Sequence, residues 1–475
     1  MSGPSFLRAA LTGVATMALA ACTVGPDYHL PQKAAVNLPA ANGPLGQEPG
    51  PRSGLTRPDD LPPRWWHMYD DPVLDQLEEQ ALAGNTELRV AAANLARAQS
   101  MTRAAEGANE PEFSVEAAAQ RARLSGESFL LPESLPVANL GHVGVEMSYQ
   151  LDLFGRVRRS VEAARADEET DEALMGAVKV TLAAEVARAY LAHCGAQEGG
   201  DLAEAALKVQ ERIADSARRL AAAGRTSTIE VTAAEGRVAQ ARAEIPLHAA
   251  RSRAALYRLA FLMGRAPADF PREALACRRL PMIARPLPVG DGAALLARRP
   301  DVRAAERQLA AATARIGVAT ADLYPHIGFG ISAGSTGFLA DIGKAAANSW
   351  GIGSLIQWAF PGAGARERVR AAHADTDRAL ARFDGVVLGA LRETETALSS
   401  YQHDHDRALA LADARDAEER AAEEQKRLHD AGRAPVQADL GGQFALVAAR
   451  ARELAGREAV AQDQVTLFLA LGGGW

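Results

Sequence analysis

The sequence predicts a mixed protein of long paired helices and four strands, the strands closing a membrane barrel only when several chains pool them. Three observations predict it. The 475 residues contain one structural unit used twice, and each copy holds a pair of strands with alternating apolar side chains. After the N-terminal segment no run of 18 apolar residues follows, so a membrane crossing has to be made of strands. Composition agrees: 48% of residues are hydrophobic but only 5% aromatic. Abundant alanine with few rings favours long helices packed backbone to backbone, because Ala is the best helix former and lets neighbours approach closely.

Residues 1–21 read as an export signal. Arg8 precedes a short apolar stretch, Ala9 to Ala21, too short for an ordinary membrane-spanning helix. The ending Leu19-Ala20-Ala21-Cys22 resembles the bacterial lipobox, which implies cleavage before Cys22 and a lipid on it. A plain signal peptide cut after an Ala is the alternative. Thr23, rather than Asp, after the Cys implies sorting to the outer membrane. Residues 23–64 hold nine of the 24 prolines, so 22–64 reads as an extended tether, with ordered structure expected from Trp65-Trp66. Cys194 and Cys277 read as two isolated small apolar residues, a disulfide between them being the alternative in an oxidising compartment.

The repeat sets the remaining order. Leu220-Ala-Ala-Ala-Gly224-Arg225 returns 208 residues later as Leu428-His-Asp-Ala-Gly432-Arg433, and Val161 to Asp167 returns as Val369 to Asp375. Upstream the offset is 214, pairing Leu95 with Leu309 and Pro111 with Pro325. The copies run over 65–270 and 291–475, joined by a connector at 271–290. The first begins with a helix at about 73–107, ended by Pro111, and the second with one at about 291–321, ended by Pro325. Strands follow at about 112–124 and 141–154, and at about 327–338 and 349–360. Val143, Val145, Met147, Tyr149 and Leu151 alternate with Gly144, Glu146, Ser148, Gln150 and Asp152. Four strands cannot close a barrel, and lipid forbids open edges, so the barrel requires an oligomer.

Long helices complete each copy, over 156–263 with a tip near 224 and over 364–470 with a tip near 432. Seams of 3-4 spacing run through Ala203, Ala206, Gln210, Ile213, Ala217 and Leu220, and through Leu411, Ala414, Glu418, Ala421, Gln425 and Leu428. A third runs through Val231, Ala234, Val238, Ala241, Ile245 and His248. Gly199-Gly200 is a candidate kink.

Enzyme chemistry finds no footing. Net charge is −7, without the basic patches that nucleic acid requires. Gly337 to Lys344 has the wrong spacing for a phosphate loop, and neither a zinc-protease helix nor a nucleophile elbow is present. His403-Asp404-His405 puts its two rings on different helix faces and reads as solvated surface. No cofactor or metal is expected.

Four blocks then carry a resemblance. They are Cys22-Thr-Val-Gly-Pro-Asp-Tyr28 with Pro31; Trp66 with Asp71-Pro72, Leu74 and Leu77; Leu151-Asp-Leu-Phe-Gly155-Arg156; and Leu295-Leu296-Ala-Arg-Arg299-Pro300-Asp301-Val302 with Glu306, Gly317 and Tyr324-Pro325. In this order they resemble the outer-membrane efflux proteins of the TolC/OprM type, especially the lipoprotein branch serving RND-type tripartite pumps. The resemblance implies a homotrimer forming a 12-stranded outer-membrane barrel, four strands per chain, continued by a long periplasmic α-helical barrel. It implies passive conduction of small toxic compounds, with a periplasmic adaptor and an inner-membrane RND pump as partners and outer-membrane lipid around the barrel.

By the same resemblance the turns Gly224-Arg225-Thr226-Ser227 and Gly432-Arg433-Ala434-Pro435 would dock the adaptor. They are also sufficient as plain helix caps. Relatives that close the tip with Asp would place one at the position of Gly441; the nearest acids here are Asp439 and Glu230. Glu116, Glu146 and Asp152 are candidates to line the lumen and favour cations, or to pair with Arg on neighbouring strands. Rival readings are a type I protein-secretion channel of the same architecture and a periplasmic coiled-coil adaptor.

Overall fold

The structure is a computed structural model that describes residues 23–46, 54–127, 130, 132–358, 360 and 362–473; the signal segment and Cys22 lie outside the described residues. The chain divides into two compact units. One comprises Met1–Pro31, Asn94–Asp171 and Ala305–Phe383, the other Gln32–Ala93, Glu172–Ala304 and Asp384–Trp475. No described helix is long and apolar enough to cross a membrane.

The helices are α1 (Pro72–Gly84), α2 (Thr86–Gly107), α3 (Arg156–Ala222), α4 (Thr228–Leu262), α5 (Gly292–Arg298), α6 (Pro300–Ala321), α7 (Ala363–Asp430) and α8 (Val436–Ala470). The strands are β1 (Thr56–Arg57), β2 (Glu112–Arg123), β3 (Val137–Leu151), β4 (Leu287–Pro288), β5 (His326–Phe338) and β6 (Asn348–Gln357).

The first unit is built on one antiparallel sheet in the order β2-β3-β5-β6. Directly opposed residues share a face. One face therefore runs Val115, Val145, Ala333, Trp350 across the strands, and a row below it Phe113, Met147, Ile331, Ile352. The opposite face runs Glu116, Gly144, Gly334, Ser349 and Ser114, Glu146, Ser332, Gly351.

Strand ends differ from the alternation pattern for local reasons. β3 starts at Val137, four residues before the expected 141, because it pairs there with Arg123 at the end of β2. It stops at Leu151 because Asp152 turns away to cap a helix. β6 ends at Gln357, opposite His326, where β5 begins and no partner extends further.

At the sheet-to-helix corner Asp152 accepts hydrogen bonds from the Val157 and Arg158 amides, at 3.0 and 2.9 Å. This satisfies free N–H groups in the first turn of α3. Phe154 stacks on Tyr324 with ring centroids 4.6 Å apart. Gly155 has φ +77°, and a Cβ there would strike Thr23.

The N-terminal segment does not behave as a free tether ending at Trp65. The Val24 amide donates to the Phe154 carbonyl at 3.1 Å. Arg159, 4% exposed, donates to Asp27 and Glu162, both at 2.7 Å, and to the carbonyls of Val24 and Gly25. Tyr28 donates to Glu306 at 3.1 Å. Prolines keep the segment extended, and these side chains pin it down.

In the second unit Ala34, Ala41 and Leu61 are buried, and the Gly46 amide donates to the Glu395 carboxylate. The core of this unit gathers Trp65, stacked on Phe468 at 4.5 Å, with Trp66, Leu74, Tyr190, Leu259 and Leu295.

Cys194 and Cys277 form a disulfide across a Cα–Cα distance of 5.3 Å, which corrects the reading of two isolated residues. The bridge ties the connector to the middle of α3. Sequence spacing alone cannot show that a connector folds back 83 positions to meet a helix.

Both leading helices are split. α1 and α2 part at Asn85, whose Oδ1 caps the Leu88 amide at 2.9 Å while its Nδ2 donates to the Leu262 carbonyl at 2.8 Å. α5 and α6 part at Arg299, because the following Pro300 pushes it out of helical conformation, to ψ 121°. α3, by contrast, runs unbroken through Gly199-Gly200. A Cβ on Gly199 would collide with the His248 ring, so that glycine serves close packing rather than a kink.

The seams hold with one shift. Between Val231 and His248 only Val231, Ala234, Val238, Ala241, Ile245 and His248 escape full exposure. In α7 the expected Ala414 and Ala421 are exposed, and the protected line passes through Leu411, Arg415, Glu418, Ala422 and Gln425. Gly456 and Gly442 of α8 set this register, lying against Leu411 with Ala408 and against Gln425 with Ala422.

Candidate functional site

The two faces of the sheet present opposite chemistry. On the apolar face Phe113, Val115 and Ile352 are exposed, and Trp350 is 82% exposed. So broad an exposed apolar surface marks a face that an apolar medium has to cover. The other face carries serines, glycines and carboxylates. Glu116 and Glu146 are diagonal neighbours there, because Glu116 opposes Gly144 while Glu146 opposes Ser114. Within the one chain neither makes an ion pair among the described residues. Arg121 and Arg123 lie on the opposite face of β2.

Asp152 does not join them. Its carboxylate is held by the first turn of α3, which removes it from the lumen candidates. Glu112 does belong to the group: it opposes Ser148, in step with Ser114 and Glu116. One further step of the alternation would have found it.

The two turns have nearly identical geometry. Gly224 and Gly432 have φ +67° and +68°, and a Cβ at either would meet nothing within 4 Å. Glycine is needed for the left-handed backbone alone. The Arg225 amide donates to the Leu220 carbonyl and the Arg433 amide to the Leu428 carbonyl, both at 2.8 Å. Arg225 and Arg433 are exposed at the apices, and Thr226 and Ala434 are half-buried beside them. Ser227 Oγ caps α4 by accepting the Glu230 amide at 3.3 Å, whereas Pro435 opens α8 without a side-chain cap.

Glu230 is exposed. Asp439, 4% exposed, is not: Gln443 donates to its carboxylate at 2.8 Å and itself accepts from Arg212 at 2.7 Å. Asp439 therefore serves helix packing and cannot line an aperture. Gly441 carries no charge.

His403 is exposed and bonds its own helix at Ser399, while His405 lies beside Tyr401 with ring centroids 6.2 Å apart. No group of three or more metal-binding side chains occurs among the described residues.

A model of the outer membrane efflux protein family matches the chain twice, at residues 77–265 and 293–473, one match for each copy of the repeat. The outer membrane protein OprJ of Pseudomonas aeruginosa is 29% identical, over 100% of this chain and 97% of its own. The solvent efflux pump outer membrane protein SrpC of Pseudomonas putida is 28% identical over 97% of each. The solved outer-membrane channel OprN matches with a TM-score of 0.84 at 34% identity, covering 96% of this chain and 100% of that one.

The barrel strands and long helices expected from the sequence are the fold class of these channels. Such a protein is a transport conduit of the outer membrane and not an enzyme, and a soluble coiled-coil adaptor is ruled out. The chain belongs to the outer membrane efflux protein family.

Proposed function

We propose that three copies of this chain form a passive outer-membrane channel that discharges small toxic compounds for an RND-type tripartite pump. The observation that carries this reading is the two-faced sheet, apolar and exposed on one side, polar on the other, and open along β2 and β6. In lipid each unsatisfied backbone group costs several kcal/mol, so the edges have to meet other copies. Two copies would give eight strands, an interior that side chains fill, while three give twelve and leave a water path. The likeness to SrpC over nearly the whole chain supports a pump-linked conduit.

In this reading Cys22 bears a lipid as a second anchor. Thr23, next in the chain, is packed against Gly155 where the strands give way to α3, a suitable level for an acyl chain to enter the membrane. The turns at Gly224-Arg225-Thr226-Ser227 and Gly432-Arg433-Ala434-Pro435 dock the adaptor. Glu116, Glu146 and Glu112 face the lumen, and Glu230 stands near the periplasmic mouth.

The decisive experiment measures the protein mass of the detergent-extracted particle, corrected for bound detergent, followed by conductance in planar bilayers. Three protomers, each slightly below 50.1 kDa, with stepwise conductance support the channel. A monomer in every detergent removes it.

A further inference from the structure

Within the second unit a groove runs between α4 and α8 over α3. It has a volume of about 490 Å³ and continues into a second hollow of about 700 Å³, the two sharing His248, Arg251 and Glu458. Its walls are apolar where Leu202, Phe444, Val447 and Leu454 line it. A trough of this size, apolar with a few convergent polar groups, has the make-up of a small-molecule site.

The polar groups say which molecule. Gln210 is 3% exposed and lines the groove, yet its Oε1 has no hydrogen-bond partner. His248 Nδ1 is also buried without a partner. Burial and the nearby Arg251 hold the His248 imidazole below its usual range, so it is neutral and offers an acceptor nitrogen. Glu244 and Glu458 add carboxylates. Arg237 and Arg251 also border the groove as exposed residues, and the Arg251 charge acts on both Glu458 and His248. Gln210 Oε1 can only accept, and the neutral His248 ring supplies one acceptor nitrogen, so the buried unmet groups call for a donor.

We infer that this groove is a binding site for an amphiphilic amine, its apolar body along Leu202, Phe444 and Leu454 and its ammonium donating to Gln210 and to the carboxylate of Glu458 or Glu244. The groove is lined wholly by residues of the second unit, and the inference does not depend on the channel reading.

The test uses the full-length assembled protein in lipid nanodiscs, free of competing detergent. Dansylcadaverine, a fluorescent alkylamine, is titrated against its N-acetyl derivative, which lacks the charge. The amine should bind at least tenfold more tightly than the acetyl form. Gln210→Leu should weaken the amine about tenfold, the expected loss of one hydrogen bond to a charged donor. Ala451→Trp, placed on the exposed rim, should block both probes without disturbing the helix seams. A diazirine version of the amine, followed by peptide mapping, gives a readout that needs no variant, and labelling should fall on α4 and α8. Equal affinity for the two probes overturns the proposal. So does unchanged binding to Ala451→Trp, labelling outside the groove, or a crosslink from Phe444→Cys showing the groove filled by a second copy.

Discussion

Arg299 and Asn85 occupy the same place in the two copies, each at the break of a leading helix, and each holds the end of a long helix by its carbonyls. Asn85 reaches Leu262 at the end of α4. Arg299 donates to the Ala470 carbonyl at 2.7 Å at the end of α8, and bridges Asp301 and Glu393. Arg299→Ala should cost about 1–2 kcal/mol, since it removes a buried guanidinium bond to the Ala470 carbonyl, which keeps only the Thr394 hydroxyl, together with two partly exposed ion pairs. Arg299→Lys should recover only part, because a point charge cannot replace the fork. Hydrogen exchange over residues 460–473 should speed up in both variants.

Glu78 on α1 is a different case. It is fully buried, and neither carboxyl oxygen has a hydrogen-bond partner. Burial, with Asp75 nearby, holds its carboxyl well above the usual range. The unfolded chain releases this proton above about pH 4.3 while the folded chain keeps it. Stability from this group is therefore greatest below that pH and falls as the pH rises towards the folded value. Glu78→Met should stabilise the fold by about 1–3 kcal/mol at pH 8 and by less at pH 5, read as a larger rise in Tm at the higher pH. Equal melting shifts at the two pH values would show that Glu78 is ionised in the fold.

At the scale of elements, what the sequence made legible follows physical range. Strand faces and helix seams depend on period, and period is local; hence the six positions from Val231 to His248. The α7 seam moved from Ala414 and Ala421 to Arg415 and Ala422 because glycines of α8 fix the contact from outside the helix, where α7's own pattern carries no trace. The Cys194–Cys277 bridge stood only as an alternative and the Arg159–Asp27 pair was hidden for the same reason, as each joins segments distant in the chain. The turns were legible because a left-handed residue at a helix end demands glycine. Gly224→Val or Gly432→Val should cost about 1–2 kcal/mol of local backbone strain. With nothing within 4 Å to clash, the assembly should still form. If the turns dock an adaptor, drug sensitivity should rise in cells carrying either variant while the particle mass stays unchanged; unaltered sensitivity would leave them as caps alone.

For the whole molecule, the charge on one sheet face should set what the channel prefers to conduct. Each chain places Glu112, Glu116 and Glu146 on the polar face, and that face of β2, β3, β5 and β6 carries no Lys or Arg among its described residues. In the proposed trimer nine carboxylates would surround one water path, opposed by no Lys or Arg on the same face among the described residues. The glycines at 328, 330, 334, 351 and 353 supply no side chains to screen them. The Debye length is about 10 Å at 0.1 M salt and about 3 Å at 1 M. The field should therefore reach across a narrow lumen in dilute salt and shrink to the wall in concentrated salt. In a KCl gradient the reversal potential should show a cation preference at 0.1 M that fades towards 1 M. Replacing the three residues together, Glu112→Gln, Glu116→Gln and Glu146→Gln, should lower the cation-to-anion permeability ratio several-fold at 0.1 M and leave it nearly unchanged at 1 M. Each glutamine matches the shape of the carboxyl it replaces, so unitary conductance at high salt should stay close to that of the parent and show that the pore is intact. An unchanged ratio at low salt would mean that this face does not line the water path. The apolar face could not line it either, and the barrel would then have to be drawn from some other surface of the chain.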